Sequence, residues 1–209
     1  MILVLATENR NKARELQSLL QEGFDAKIQT LADYPLLRLP PEQGATYREN
    51  AISKAITVAT QTGQWAVGDD SGLEVDALYG KPGLYSARFA GEGVSDASNR
   101  KKVLELLGDL PDGKRTARFI CTIAVSNPEG VAWVVEGVCL GRITSHERGQ
   151  GGFGYDPIFW VDACGKTMAE ISQAEKNSVS HRGRAVRAAV EKLKASGIDG
   201  PGMAMASEA

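Results

Sequence analysis

Apolar positions along the chain follow a helical period in some segments and a two-residue strand period in others. The helical period predicts four helices, of which the second is capped by Thr46 and stopped by Gly63 and the third is capped by Ser95. The predicted helices cover about 10–20, 46–62, 95–107 and 181–195. Apolar runs and alternation predict strands at 1–6, 26–30, 65–67, 115–126, 131–143 and 158–161, with a hairpin turn at 127–130.

This order of elements mixes helix–strand alternation with one long hairpin. It predicts an α/β fold in which a mixed β-sheet is flanked by helices, with two lobes around a groove. The length of 209 residues fits one domain, which we place at 1–198. The last residues, 199–209, are mostly small and are expected to form a flexible tail.

The composition limits which partners the protein can bind and in which compartment it is expected. A net charge of −2 argues against a basic face for duplex nucleic acid, so an anionic ligand must be small and held by local cations. No apolar run reaches the length of a membrane span, and the start MILVLATENRNK lacks the basic segment of a signal peptide. The three cysteines are not closely spaced, which indicates a cytoplasmic protein without a zinc site or disulfide framework.

The segment TENRNK at 7–12 joins the first predicted strand to the first helix. Helix starts carry unpaired N–H groups and a positive dipole end, which suit phosphate. Asn9 is the expected cap, and Lys12 falls in the first turn, where a cation opposes the dipole and calls for a nearby anion. The alternative is an ordinary strand–helix turn with a solvated lysine.

The segment GDDSG at 68–72 follows the predicted strand 65–67. In an extended chain the neighbouring carboxylates of Asp69 and Asp70 point to opposite faces. Carboxylate oxygens at a strand end suit Mg²⁺, which takes one or two carboxylates plus substrate phosphates. Glu42, in a loop bounded by prolines, is a candidate second carboxylate. A polar turn is the alternative for 68–72, and an exposed side chain is the alternative for Glu42.

The segment SHRG at 180–183 opens the last predicted helix. Arg182, and His181 if protonated, place positive charge where the helix dipole disfavours it, and Lys176 lies just before. Several residues that disfavour the local structure at one place often mark a functional site. A solvated basic turn is the alternative.

The segment GQGGFGYDP at 149–157 holds an aromatic ring in a glycine-rich loop. Phe153 can stack on a base, glycine lets the backbone approach a flat ligand, and Asp156 can accept hydrogen bonds from base N–H groups. Cations near two helix starts, a carboxylate metal site and a base platform together indicate a nucleoside triphosphate site.

The motifs resemble the inosine triphosphate pyrophosphatase family, also called dITP/XTP pyrophosphatases. The segments that carry the resemblance keep the family's order: TENRNK at 7–12, ENAISKA at 49–55, DDSGLEVDALYGKPGLYSARFAGEG at 69–93, VVEG at 134–137, GGFGYDPIF at 151–159 and AEKNSVSHRG at 174–183. The chain departs at Glu8, where small residues are common and whose side chain we expect to point away from the phosphates, and in the tail beyond about 198.

The resemblance implies an elongated fold with a nucleotide groove between two lobes, a homodimer and dependence on Mg²⁺. It implies that ITP, dITP and XTP are cleaved to the monophosphate and pyrophosphate. Asp70 would be the proton acceptor and, with Glu42, a metal ligand. The implied substrate-binding residues are Thr7, Glu8, Asn9, Arg10, Asn11, Lys12, Ser71, Phe153, Gly154, Tyr155, Asp156, Lys176, His181 and Arg182, with Lys54 a second-rank candidate. Lys12 and Lys176 are expected to be exposed phosphate ligands.

Two alternatives remain open at this stage. One is a nucleotide pyrophosphatase of the Maf-like type that acts on modified pyrimidines, against which the GFGYDP and SHRG segments argue. The other is a nucleotide-binding regulatory protein without turnover, against which the intact Asp70 and Glu42 argue. The sequence does not rank ITP against XTP or explain how GTP is rejected.

Overall fold

The computed structural model describes residues 1–197. The predicted flexible tail, 199–209, lies outside the described residues. Within them, no helix is long and apolar enough to cross a membrane.

Seven strands form one mixed sheet. The strands are β1 (Ile2–Ala6), β2 (Lys27–Gln29), β3 (Trp65–Val75), β4 (Thr116–Asn127), β5 (Gly130–Ile143), β6 (Phe159–Val161) and β7 (Lys166–Thr167). Their order across the sheet is β2-β1-β3-β4-β5-β6-β7. Strand β1 is parallel to β2 and β3, whereas the pairs from β3 to β7 are antiparallel. The predicted α/β class with a mixed sheet is confirmed. The division into two lobes stays a prediction.

Within residues 1–197, five α-helices accompany the sheet. They are α1 (Arg10–Gly23), α2 (Tyr47–Thr62), α3 (Asp96–Leu107), α4 (Gln173–Val179) and α5 (His181–Ala195). Asn9 caps α1 by accepting from the backbone N–H groups of Asn11 and Lys12, and Thr46 caps α2 by accepting from Glu49 N. Helices α1 and α5 share one apolar cluster with the sheet. Helix α2 packs in other clusters, with Val4, Ala66 and Ala124. The sheet is thus buried on both faces at the level of β1 and β3.

Strand β3 is longer than the sequence predicts. The prediction ended the strand before Gly68, but β3 continues to Val75 and pairs with β4 from Ala66 to Val75. Two glycines and two aspartates hide the strand pattern, because their propensities favour turns. The carboxylates of Asp69 and Asp70 therefore lie inside a paired strand and not at its end.

Helix α4 and the two-residue strand β7 are also absent from the sequence prediction. Ser172 caps α4 in a capping box with Glu175, a signal that the sequence does contain. Helix α4 has only seven residues and shows no clear apolar period. Lys176 consequently lies within a helix of its own, one element before α5.

Candidate functional site

A cavity of about 480 Å³ brings the four sequence motifs together. A volume of this size suits a small organic ligand. Its walls include residues from each motif, namely Thr7, Glu8, Asn9, Lys12, Asp70, Ser71, Phe153, Gly154, Tyr155, Asp156, Lys176, His181 and Arg182. Glu42, Lys54 and Arg88 also line it. Arg10 and Asn11 are exposed and are not among its lining residues. Glu8 is among the lining residues, and the expectation that its side chain points away stays a prediction.

The two aspartates of β3 serve opposite faces of the sheet, as their neighbouring positions in a strand require. Asp69 meets Lys12 of α1 and Arg182 of α5, whereas Asp70 meets Asn50 and Lys54 of α2. A glycine is needed just before them, because a Cβ on Gly68 would come within 2.2 Å of the Ala51 carbonyl oxygen. This close approach of α2 to β3 brings Asn50 and Lys54 to Asp70.

Asp70 is a buried carboxylate held in a defined orientation. Asn50 Nδ2 donates to its Oδ2 at 2.9 Å, the Ser71 backbone N–H donates to its Oδ1 at 3.0 Å, and Lys54 Nζ lies 3.7 Å from Oδ1. Burial raises the pKa of Asp70, and the positive charges of Lys54 and Lys12 oppose the shift only in part. A carboxylate of raised pKa is a better proton acceptor than an ordinary aspartate.

Glu42 approaches Asp70 through Lys54. Lys54 Nζ donates to Glu42 Oε1 at 2.7 Å, and Arg88 Nη1 lies 3.7 Å from the other carboxylate oxygen. Burial would raise the pKa of Glu42, but Lys54 outweighs it and holds this pKa below its usual value. Two carboxylates of the cavity wall thus converge on one ammonium group.

This pair of carboxylates fits a magnesium ion that is completed by substrate. No group of three or more histidine, cysteine, aspartate or glutamate side chains in the described part of the chain could hold a metal alone. Mg²⁺ typically binds through one or two carboxylates, substrate phosphates and water. The hard oxygens of Asp70 and Glu42 on the cavity wall match that donor set.

Asp69 supplies the anion that Lys12 was expected to require. Lys12 Nζ lies 2.7 Å from Asp69 Oδ1, and Arg182 Nε lies 3.4 Å from Oδ2. Burial alone would raise the pKa of Asp69, but Lys12 and Arg182 outweigh it and lower this pKa far below its ordinary range. Asp69 is therefore a fixed negative charge behind the cavity. Lys12 is only 16% exposed at its side chain, so the expectation that it is an exposed residue is wrong.

Lys176 is buried, and the expectation that it is exposed is also wrong. Only 3% of the residue is accessible, and its ammonium contacts both Glu15, at 2.7 Å, and Asp156. It also lies 4.9 Å from the centre of the Phe153 ring. The ammonium group of Lys176, which was expected to bind phosphate, is thus shared between the carboxylates of Glu15 and Asp156 beside Phe153.

Arg182 is part of the same buried network. Its Nη1 donates to Glu15 Oε2 at 2.6 Å and its Nη2 donates to Ser71 Oγ at 3.0 Å, in addition to the contact with Asp69. All three guanidinium nitrogens are thus engaged. Removing Arg182 would leave the buried carboxylates of Glu15 and Asp69 without this partner, so its loss would destabilise the fold.

His181 is held in its neutral form. Its ring stacks on Phe119, with centroids 4.6 Å apart. Burial lowers the pKa of His181 well below its usual value, and the charges of Arg182 and Lys176 lower it further. The interpretation of His181 as a second cation at the start of α5 is therefore wrong.

The glycine-rich loop has a fixed shape. Asp156 Oδ2 accepts from the Phe153 backbone N–H at 2.8 Å, and a Cβ on Gly152 would meet that same oxygen at 2.0 Å. Tyr155 Oη donates to the Ser86 carbonyl oxygen at 2.8 Å, which ties the loop to the opposite wall. Burial raises the pKa of Asp156, and Lys176 offsets this shift only in part.

Sequence reasoning missed Glu15, Asn50 and Arg88. Glu15 is the buried partner of two cations, and Asn50 joins Asp70 to the Gly44 backbone N–H, which donates to Asn50 Oδ1 at 2.8 Å. Glu15 and Asn50 are polar residues on the buried faces of two helices. The helical period of the apolar positions could have shown that both side chains face inward. Arg88 ends a short 3-10 helix after β3 and lies within the motif segment 69–93, but the sequence analysis assigned it no role.

The comparisons with known proteins agree with these motifs. A model of the Ham1 family matches residues 3–192. A protein of Bacillus cereus named dITP/XTP pyrophosphatase is 50% identical over 193 residues, covering 91% of this chain and 94% of that protein. A protein of the same name from Desulforamulus reducens is 48% identical, covering 92% and 96%. The solved structure of a HAM1 protein from Coxiella burnetii superposes with a TM-score of 0.83 at 41% identity, covering 93% of this chain and 99% of that one.

These matches span nearly the whole described chain at high identity and reproduce its fold. They confirm the resemblance drawn from the six motif segments. The chain belongs to the Ham1 family.

Proposed function

We propose that this protein hydrolyses the triphosphates of deaminated purines, namely ITP, dITP and XTP, to the monophosphate and pyrophosphate. The observation that carries the proposal is one cavity that contains both the Asp70–Glu42 carboxylate pair and the Phe153 loop. A reactive carboxylate pair and an aromatic platform are what a nucleotide pyrophosphatase needs at the two ends of its substrate. Relatives about half identical in sequence carry the name dITP/XTP pyrophosphatase.

Asp70 and Glu42 would hold the Mg²⁺ ion that the proposal includes. When bound, the ion would neutralise charge on the phosphate oxygens. Lys54, which bridges the two carboxylates, and Arg88 lie on the same cavity wall and would be the cations nearest to the phosphates. Lys12, at the first turn of α1, adds a third cation beside the helix-start N–H groups.

The reaction requires a water oxygen to attack the α-phosphorus while the bond to the bridging oxygen breaks. The electron pair of that bond leaves with pyrophosphate, and the water loses one proton. We assign the acceptance of this proton to Asp70, whose carboxylate lies on the cavity wall. The bond from Asn50 fixes the orientation of the Asp70 carboxylate, so that little rearrangement is needed when the proton moves.

The Phe153 ring would stack on the purine, and the polar groups around it would read the base edge. Because Arg182 is committed to Glu15, Asp69 and Ser71, we assign the donor for the 6-oxo group to the first N–H groups of α5. The acceptor for the N1–H group is Asp156, whose Oδ2 already accepts from Phe153 and Lys176. Adenine would leave such groups unpaired, and mispairing of this kind can discriminate by about 10⁴-fold.

The test is a panel of triphosphates incubated with Mg²⁺, with all products separated. We expect monophosphate and pyrophosphate from ITP, dITP and XTP, and little product from ATP. Orthophosphate as the first product would contradict cleavage between the α- and β-phosphates. Preference for modified pyrimidine triphosphates would favour the Maf-like alternative, and binding without turnover would favour a regulatory protein.

A homodimer and a cytoplasmic location complete the proposal. The first rests on the family resemblance and the second on the spacing of the cysteines. Sedimentation equilibrium of the purified chain tests the first. A mass near 22 kDa at all concentrations would contradict it.

A further inference from the structure

Helix α3 contacts the base-binding loop from outside the cavity motifs. Asp96 and Arg100 are four residues apart and therefore lie on one face of α3. Asp96 Oδ2 accepts from the Gly154 backbone N–H at 2.8 Å, and Arg100 Nη1 donates to the Gly154 carbonyl oxygen at 2.9 Å. The peptide groups on both sides of Gly154 are thus held by side chains of one helix.

Arg100 also fixes the beginning of the same loop. Its Nε and Nη2 donate to the two carboxylate oxygens of Glu147 at 2.9 and 3.1 Å. The third nitrogen of the guanidinium reaches Gly154, so a single side chain joins residues 147 and 154. The Arg100 side chain is only 14% exposed, which limits competition from water. Lysine has no such planar fork and cannot hold both ends at once.

The position of Gly154 makes this contact consequential. Gly154 follows Phe153 directly and adopts a left-handed conformation with φ of 59°. A glycine in this region moves easily when its peptide groups are not bonded. The direction of the Phe153 ring therefore depends on what holds Gly154.

We propose that Arg100 is a positioning residue for base recognition, acting through Gly154 on the Phe153 ring. The inference rests on the proposed function, because it assumes that Phe153 stacks on a purine. Arg100 is not among the residues that line the cavity, so its effect is indirect. It should act on binding of the base and not on binding of the phosphates.

Two probes separate these effects: inosine monophosphate, which carries the base, and inorganic pyrophosphate with Mg²⁺, which does not. Binding of each is measured by calorimetry to wild type and to Arg100→Ala. Arg100→Ala should weaken inosine monophosphate binding about tenfold, the size expected for its hydrogen bond to the Gly154 carbonyl oxygen, and leave pyrophosphate binding unchanged. Arg100→Lys should fall between Arg100→Ala and wild type.

Lys101→Ala is the matched control, since Lys101 is the next residue of α3 and its side chain is 76% exposed. It should change neither affinity. If Arg100→Ala does not fold, Glu147→Gln is used instead, because it weakens the ion pair between Arg100 and Glu147. We then expect a two- to fivefold loss of inosine monophosphate affinity, about the size of a partly exposed ion pair.

Equal loss of both ligands in the Arg100 variants would overturn the proposal, because it would indicate a general structural role. Unchanged binding of both ligands would overturn it as well. If wild type binds pyrophosphate but not inosine monophosphate, the proposed function itself fails along with this inference.

Discussion

The pKa values of two neighbouring aspartates of β3 are shifted in opposite directions, because each side chain faces a different side of the sheet. Asp69 is fully buried against two cations and keeps its charge, whereas Asp70 is less well compensated and has a raised pKa. Of the two, Asp70 is therefore the one that takes up a proton more readily. The identical side chains therefore suit different roles: Asp69 suits that of a fixed charge, and Asp70 suits that of the proton acceptor that we propose.

Replacing Asp70 by asparagine should abolish most activity and preserve the fold. Asn has the same shape, but it removes both a proton acceptor and a metal ligand, and losses of this kind cost about 10²-fold or more in rate. The measurement is kcat for ITP together with the thermal unfolding midpoint. Near-normal kcat in a pure sample would rule Asp70 out as the proton acceptor.

Lys176→Met should destabilise the protein. The substitution leaves Glu15 and Asp156 buried without their shared cation, and breaking such a pair costs about 3–5 kcal/mol. Urea unfolding measures the free-energy difference. Lys101→Met, at an exposed ion pair of α3, is the control and should change stability by less than about 0.5 kcal/mol. An unchanged unfolding midpoint for Lys176→Met would show that these carboxylates tolerate burial without the lysine.

Helix α5 begins with a histidine that cannot readily be protonated in the folded protein. In the unfolded chain the same side chain takes up a proton below about pH 6.5. The folded-state pKa of His181 is lower than the unfolded value, so the stability is intact above that pH and is lost as the pH falls below it.

The free energy of unfolding should therefore fall by up to about 1.4 kcal/mol per pH unit below pH 6.5. His181→Phe, which keeps an aromatic ring against Phe119, should remove this dependence. Chemical unfolding of both proteins between pH 5 and 7.5 checks it. Parallel pH profiles in the two proteins would assign the effect to another group.

Elements with capped ends and regular periods could be predicted from the sequence, and elements shaped by tertiary contacts could not. The caps Asn9, Thr46 and Ser95 are local signals, and each begins a helix as expected. Strand β3 was cut short because its pattern at 68–72 resembles a turn until β4 pairs with it. The exposure of Lys176 was misjudged because its partner Glu15 is 161 positions earlier in the chain.

The candidate site shows the same limit. The segments that meet at the cavity could be named from their motifs, because each carries its chemistry in consecutive residues. Which cation belongs to which anion could not be read, since pairing depends on how the helices dock on the sheet. Arg182 and His181 were consequently expected to add positive charge at the start of α5, whereas Arg182 is paired with Glu15 and Asp69 and burial lowers the pKa of His181.

Nucleotide preference is a property of the assembled molecule, because the cavity takes residues from both ends of the chain. Phe153→Ala should lower kcat/KM for ITP and for ATP by the same factor, about tenfold, since stacking does not depend on the base edge. The ITP/ATP ratio should stay as in wild type. A ratio that changes would mean that Phe153 also shapes the polar contacts to the base.

The pairing of β3 with β4 decides which aspartate faces which layer. Asp69 is opposite Ile123 and Asp70 is opposite Thr122. If β3 slipped by a single residue along β4, every side chain of the strand would change face. Asp70 would then point toward Lys12 and Arg182, and Asp69 would point toward Lys54. A misaligned sheet could thus not yield a weakly active enzyme, because one error would displace both the carboxylate of the buried ion pairs and the carboxylate to which we assign the proton transfer. Correct assembly and catalytic competence are reached in the same step.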